Sequence, residues 1–169
     1  MKSFKQLISL LLITHLGLCV HNAQAVVIND DAPNFTLNSL QDQQPITLAQ
    51  FKGKVVYLDF WASWCHPCRQ SFPFLAQLQQ QYQQDGFEVV SVNLDNNPKL
   101  ATDFLKQFPV NFTHLQGFDT GISEKYAIEA MPSAFFIDAK GRVRLIHKGF
   151  KASHKKFIKA VLEKLLAEN

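Results

Sequence analysis

Cysteine is scarce in this sequence, and its scarcity excludes most of its ordinary uses. Cys19, Cys65 and Cys68 are the only three in 169 residues, too few for a disulfide-stapled scaffold. No second Cys-x-x-Cys and no His-x-x-x-His accompanies Cys65 and Cys68, so a structural zinc site, which needs four ligands, lacks half its set. Apolar runs are short as well: the longest, Leu7 to Val20, is interrupted by Ser9, Thr14 and His15 and falls below the roughly 20 residues of a membrane span. Excess charge is missing too. A formal charge of +3 gives no basic field for nucleic acid. There is no internal repeat, long linker or Gly/Ser-rich hinge, and the length suits one core-bearing domain rather than two.

What is present begins with a leader. Lys2 and Lys5 precede the apolar run, and Ala23-Gln24-Ala25 supplies small residues where signal peptidase needs them, so residues 1–25 read as a cleaved export signal and residues 26–169 as the mature domain. An uncleaved anchor is the rival reading. A lipidated Cys19 would follow Leu18, where a small residue is normal, so Cys19 is expected to leave with the signal. Cleavage leaves fifteen basic against fourteen acidic residues, a formal charge of +1. It also leaves Cys65 and Cys68 as the only cysteines of an exported protein, placed most simply in a bacterial periplasm, where disulfides persist.

Hydrophobic patterning predicts an α/β domain. Phe35-Thr36-Leu37 and Ile46-Thr47-Leu48 read as short strands around the polar stretch Asn38 to Gln44. Val55 to Phe60 is a continuous β-prone run, expected at the centre of a sheet. A helix follows the cysteines to about Gln84, with Leu75, Leu78 and Tyr82 on its apolar face and Gln77, Gln79, Gln80, Gln81, Gln83 and Gln84 on a solvated one. Pro73 should kink it. Phe87 to Leu94 reads as a second buried strand, parallel to the first through a right-handed crossover. Leu100, Phe104, Leu105 and Phe108 mark a helix after Pro98. Ala134–Ile137 and Val143–Lys148 flank a hairpin turn. A last helix carries Phe157, Ile158, Val161, Leu162, Leu165 and Leu166 in two columns. The predicted order is β-α-β-α, then β-β-α, a mixed sheet with helices on both faces and a short N-terminal β-hairpin extension.

The chemistry gathers in Asp59 to Pro73, DFWASWCHPCRQSFP. Cys65 at the start of a helix meets free N–H groups and a partial positive charge, which favour a thiolate and make it the expected nucleophile. Cys68, three residues on, brings the α-carbons to about 5–6 Å, within disulfide range. Pro67 fits the first turn, where its missing N–H costs nothing, and stiffens the loop. A permanent disulfide across so short a loop would add little stability, which favours a working dithiol. Asp59 stands in an apolar strand, where a carboxylate is costly without a purpose or partner. It is either a solvent-pointing acid or a buried one whose raised pKa lets it exchange a proton with the inner cysteine. His66, when protonated, would favour the Cys65 thiolate, or else it is an exposed helix-start residue of small effect. Arg69 reads as a solvated helix residue.

With these residues the chain resembles the thioredoxin fold, specifically the exported TlpA/ResA-like thiol-disulfide oxidoreductases, over nearly the whole mature sequence. Trp64-Cys65-His66-Pro67-Cys68 carries most of the likeness. Asp59, six residues before the first cysteine, and Pro73, eight after it, match the family pattern. The resemblance implies a cis-proline at Pro132, with the Met131 backbone pairing an extended substrate segment, and a docking surface of Trp64, Met131 and Pro132. It implies Cys65 as attacking thiolate, Cys68 as resolving thiol, Asp59 as proton acceptor and donor, and no cofactor. It further implies a monomer acting on disulfide-containing exported proteins, with a membrane-embedded thiol electron donor if it is a reductant. The His-Pro pair between the cysteines shares one element with thioredoxin's Gly-Pro and one with the oxidants' Pro-His. Ser71 and Phe72 supply no acid where cytochrome-maturation members commonly carry one. Two alternatives remain. One is a peroxiredoxin-like peroxidase, for which Ala62 stands where a threonine is needed. The other is a copper or zinc module using both thiolates and His66 or a remote histidine.

Overall fold

The computed structural model describes residues 26–169; the leader, its cleavage site and Cys19 lie outside the described residues. Two short strands, β1 (Thr36–Asn38) and β2 (Pro45–Thr47), pair antiparallel as the N-terminal hairpin. The main sheet has five strands: β3 (Val55–Trp61), β4 (Phe87–Asn93), β5 (Thr113–Gln116), β6 (Ser133–Ile137) and β7 (Val143–Lys148), in the order β5-β4-β3-β6-β7. Every residue of β3 is buried, as a strand covered on both faces must be. It lies parallel to β4 and antiparallel to β6.

Four α-helices complete the described residues: α1 (His66–Tyr82), α2 (Pro98–Gln107), α3 (Ile122–Lys125) and α4 (His154–Ala167). The alternation of β3 sends its side chains into two layers. Val55, Tyr57 and Trp61 share a core with Cys65, Cys68, Phe72, Phe104, Ile158 and Leu162, beneath α1, α2 and α4. Val56, Leu58 and Phe60 share the other with Phe35, Leu37, Ile122, Tyr126, Phe135 and Ile137, beneath α3 and the N-terminal segment.

That segment crosses the sheet from one edge to the other. At β7, Asn29 N–H donates to Val143 O at 2.6 Å and Val143 N–H to Asp30 O at 2.9 Å; at β5, Leu40 N–H donates to His114 O at 2.8 Å. Isolated bridges join Asp31 to Arg142 and Ser39 to Leu115. A strap is thus laid over one face and fastened at both margins.

The structure corrects the expected order in one place. β5 and α3 stand between α2 and β6, where the sequence reading has no element. Each is four residues long, and in β5 only His114 and Leu115 are buried, so no periodicity announces them. Gln79 is a second correction. It is buried, accepting from Val89 N–H at 2.6 Å through its side-chain oxygen, because it faces the start of β4 rather than solvent. Leu100 and Phe157 are exposed, since Ala101 and Phe104 on α2 and Ile158, Leu162 and Leu165 on α4 meet the core. α1 runs on through Pro73, whose ring is exposed.

Candidate active site

β3 delivers the chain to one end of the sheet, and a tight turn starts α1. Cys65 N–H donates to Ala62 O at 3.0 Å, closing the turn. Cys65 is the N-cap, with extended backbone and a sulfur that accepts the Cys68 backbone N–H at 3.2 Å. Serine or aspartate normally fills such a position; here a sulfur receives one of the helix's free donors. His66 and Pro67 occupy the next two positions, where proline needs no partner.

Cys65 and Cys68 are joined as a disulfide with a Cα–Cα distance of 5.3 Å, inside the range the helical spacing predicts. The two sulfurs are unequally placed. Cys68 is fully buried in the core under α1, while Cys65 retains a sliver of exposure beside Trp64, which is 67% exposed. Cys65 is therefore the sulfur nearer to solvent. His66 is exposed and its ring lies 3.4 Å from the Gln70 side-chain amide. Arg69 is exposed and donates to Ser63 O at 3.1 Å, so it clasps the turn ahead of the dithiol.

The same turn is held from below by residues the sequence reading passed over. Asp95, buried just past β4, accepts from Ser63 N–H at 2.9 Å and from Ser63 Oγ–H at 3.0 Å. Asn93 completes the cluster: its side-chain amide donates to Asp95 at 2.8 Å and its oxygen accepts Asp95 N–H at 3.1 Å. The sequence signal was the run Asn93-Leu94-Asp95-Asn96-Asn97, legible as a turn but not as an anchor for a loop about 30 residues earlier.

Met131–Pro132 is a cis peptide, which the sequence alone left open. The register Phe60↔Ser133 sets Pro132 next to the end of β3, at the end of the sheet from which the dithiol helix starts. Met131 packs on the core cluster that includes both cysteines, and Pro132 O accepts Gly149 N–H at 2.7 Å.

Asp59 is 1% exposed, and neither carboxylate oxygen has a hydrogen-bond partner. It therefore points inward rather than to solvent. Alternation along β3 directs it to the face that carries Tyr57, Trp61 and the cysteines. Burial raises its pKa to about 8, so the acid keeps its proton near neutral pH and can still lose it.

Among the described residues, no group of three or more His, Cys, Asp or Glu is arranged to hold a metal ion. The soft-metal reading thus finds no ligand gathered around the two sulfurs. Ala62, where a peroxidase would need a hydroxyl, is buried against the turn.

Comparison with known proteins agrees with this geometry. The family model described as Redoxin matches residues 28–162. The chain is 33% identical over 141 residues to the thiol-disulfide oxidoreductase ResA of Bacillus subtilis, covering 80% of this chain and 78% of that one. It is 31% identical over 151 residues to ResA of Geobacillus thermodenitrificans, covering 86% of each. Its fold superposes with a TM-score of 0.81 on a Chlorobium tepidum crystal structure described as a thiol:disulfide interchange protein DsbE, with 40% identity, covering 84% of this chain and 99% of that one. A helix-capping dithiol on a five-stranded mixed sheet, with these likenesses across its length, has one reading: the chain belongs to the Redoxin family and is a thioredoxin-fold thiol-disulfide oxidoreductase.

Proposed function

We propose that the chain reduces disulfides in exported proteins, with Cys65 as nucleophile, Cys68 as resolving thiol and Asp59 assisting proton transfer at Cys68. The observation that carries this reading is the cap: the Cys65 sulfur sits on the helix N-terminus, in reach of the Cys68 N–H at 3.2 Å. In the reduced protein that donor and the helix dipole stabilise a thiolate at Cys65.

The Cys65 thiolate attacks one sulfur of a substrate disulfide, forming a mixed disulfide and expelling the other sulfur as a thiolate. Asp59, in its ionised fraction, then takes the Cys68 thiol proton as the Cys68 sulfur attacks Cys65. The Cys65–Cys68 disulfide forms and the second substrate sulfur leaves. Two electrons pass to the substrate, and no cofactor is needed because they reside in the two protein sulfurs. Trp64, Met131 and Pro132 form the docking surface, the Met131 backbone pairing with an extended substrate segment as an added strand.

In this reading residues 1–25 direct export to the periplasm, where disulfides persist. A reductant in that compartment needs a membrane-embedded thiol electron donor. Pro67 between the cysteines favours the reducing direction. A glutathione redox titration following Cys65–Cys68 tests it: a potential near or below about −270 mV is expected, and one between about −120 and −180 mV would make the protein an oxidant or isomerase.

A further inference from the structure

Asp59 is one member of a row. The register pairs Asp59 with Ser91 on β4 and Ser91 with His114 on β5. Residues opposite each other in successive strands put their side chains on the same face, with the strands about 4.8 Å apart. All three are buried, at 1%, 0% and 2% exposure. Ser91 Oγ lies 2.7 Å from His114 Nδ1, while both Asp59 oxygens and His114 Nε2 are buried without partners. Trp61, Phe72 and Phe112 wall the imidazole, with Phe72 stacked on it at 12° between planes.

We propose that Ser91 and His114 are positioning residues for Asp59: His114 holds the Ser91 hydroxyl, and Ser91 turns it toward the Asp59 carboxylate when that group ionises. This rests on the role given to Asp59 above.

The chemistry of the pair fits both states of the acid. While Asp59 is protonated the row stays open at that end, its oxygens without a partner. With the imidazole proton on Nδ1, that N–H donates to Ser91 Oγ and frees the hydroxyl proton for an ionised Asp59. The change turns the side chains of Ser91 and Asp59 toward each other, and no proton moves within the ring. Neither residue gains or loses a net proton; the one Asp59 exchanges comes from, and returns to, the cysteine. The pair also stays neutral, because burial, opposed by the Val110 backbone, pushes the His114 pKa down to about 4.

No other group on this face takes the part. No lysine or arginine is among the buried described residues. On β3, Tyr57 shares the face, its own ionisation pushed up by burial and by Asp59. On the other side Ala134 separates Asp59 from His147 on β7, against which α4 lays His154. α1 contributes the two cysteines. Ser91 is the one hydroxyl register-paired with Asp59.

The test is the Asp59 ionisation midpoint, read from its side-chain carboxyl carbon by NMR in the full oxidised protein. A donor to the charged form lowers a carboxyl pKa. Ser91→Ala should therefore raise the midpoint by about one pH unit, His114→Phe should do the same, and the double variant should go no further. Ser91→Thr, which keeps the hydroxyl, should stay close to wild type. An unmoved midpoint in Ser91→Ala, a shift in Ser91→Thr as large as in Ser91→Ala, or additive shifts in the double variant would overturn the proposal. Should His114→Phe fail to fold, the Ala and Thr variants at Ser91 decide alone. The readout is independent of turnover. If exchange by Asp59→Asn keeps the wild-type pH profile while the midpoints behave as expected, the role of Asp59 in exchange fails and the hydrogen-bonded row stands.

Discussion

The two faces of the sheet are made from the same strands and have opposite characters. The face under α3 and the strap is almost wholly apolar: Val56, Leu58, Phe60, Val90, Val92, Leu115, Phe135 and Ile137 pack there, the buried Ser133 hydroxyl donates to Ala130 O at 2.7 Å, and the one buried phenol on this face, Tyr126, donates to Pro33 O at 2.6 Å. On the face under α1, α2 and α4 lie all the buried unpartnered side-chain polar atoms found among the described residues: those of Asp59, Trp61, His114, His147 and His154. One layer supplies cohesion without polar cost. The other tolerates several buried polar groups, each expensive, beside the dithiol. Cohesion is thus shared by both sides of β3, while the reactive groups lie on one of them, one residue out of phase.

The widest separation is expected at the sulfurs. Cys65→Ser should lower disulfide exchange by more than about 10³-fold in a turnover assay, whereas Cys68→Ser should leave a mixed disulfide on Cys65 that persists on non-reducing gels. Cys65→Ser should shift the denaturation midpoint little, because the closed loop is so short, and Cys68→Ser more, because it buries a hydroxyl in the core.

On the opposite face the effects should invert. Leu58→Ala is expected to cost about 2–5 kcal/mol in denaturant unfolding, with the redox potential left within experimental error of wild type. A large shift in potential would break the comparison.

Asp59→Asn sits between these extremes. It should slow exchange by about 10²-fold, the lower end of general acid–base contributions. It should also change how stability depends on pH. In the fold Asp59 keeps its proton to about pH 8, against 3.8 unperturbed. Raising the pH therefore takes the proton from the unfolded chain first, and stability falls by about 1.4 kcal/mol per unit until pH 8. His114 runs the other way. Its folded pKa is depressed from 6.5 to about 4, so stability is lost as pH drops through that interval. The two slopes cancel between about pH 4 and 6.5, leaving a decline of about 2 kcal/mol from pH 6.5 to 8. Asp59→Asn should abolish that decline in urea titrations, and His114→Phe should extend it down to pH 4.

The smallest effect is expected at the turn. Asp95→Ala removes the acceptor for Ser63 N–H and Oγ–H. It should cost about 1–3 kcal/mol and slow exchange a few-fold, measured by unfolding and turnover together.

Much of this architecture was legible in the sequence because it rests on local pattern. The continuous run of β3, the capped dithiol, the hairpin around Asp138 to Gly141 and the apolar stripes of α1 and α4 all follow from neighbours a few residues apart. What was not legible depends on register. His114 carried no local signal because its contact with Ser91 spans 23 residues, and Asp95 carried none because Ser63 lies 32 residues away. β5 escaped notice because four residues with two buried carry no period. Gln79 was misplaced because its helical neighbours are solvated glutamines, whereas its partner is the Val89 backbone.

The strap has a consequence for the company the protein keeps. Exposed sheet edges template the pairing of other chains, and immature proteins offer strands in abundance. Here residues 29–32 fasten the start of β7, residues 39–40 fasten β5, and the remaining outer stretch of β7 carries Arg144 and Lys148. A thiol-disulfide oxidoreductase that meets other disulfide-containing chains thus does so with the margins of its own sheet guarded against edge pairing.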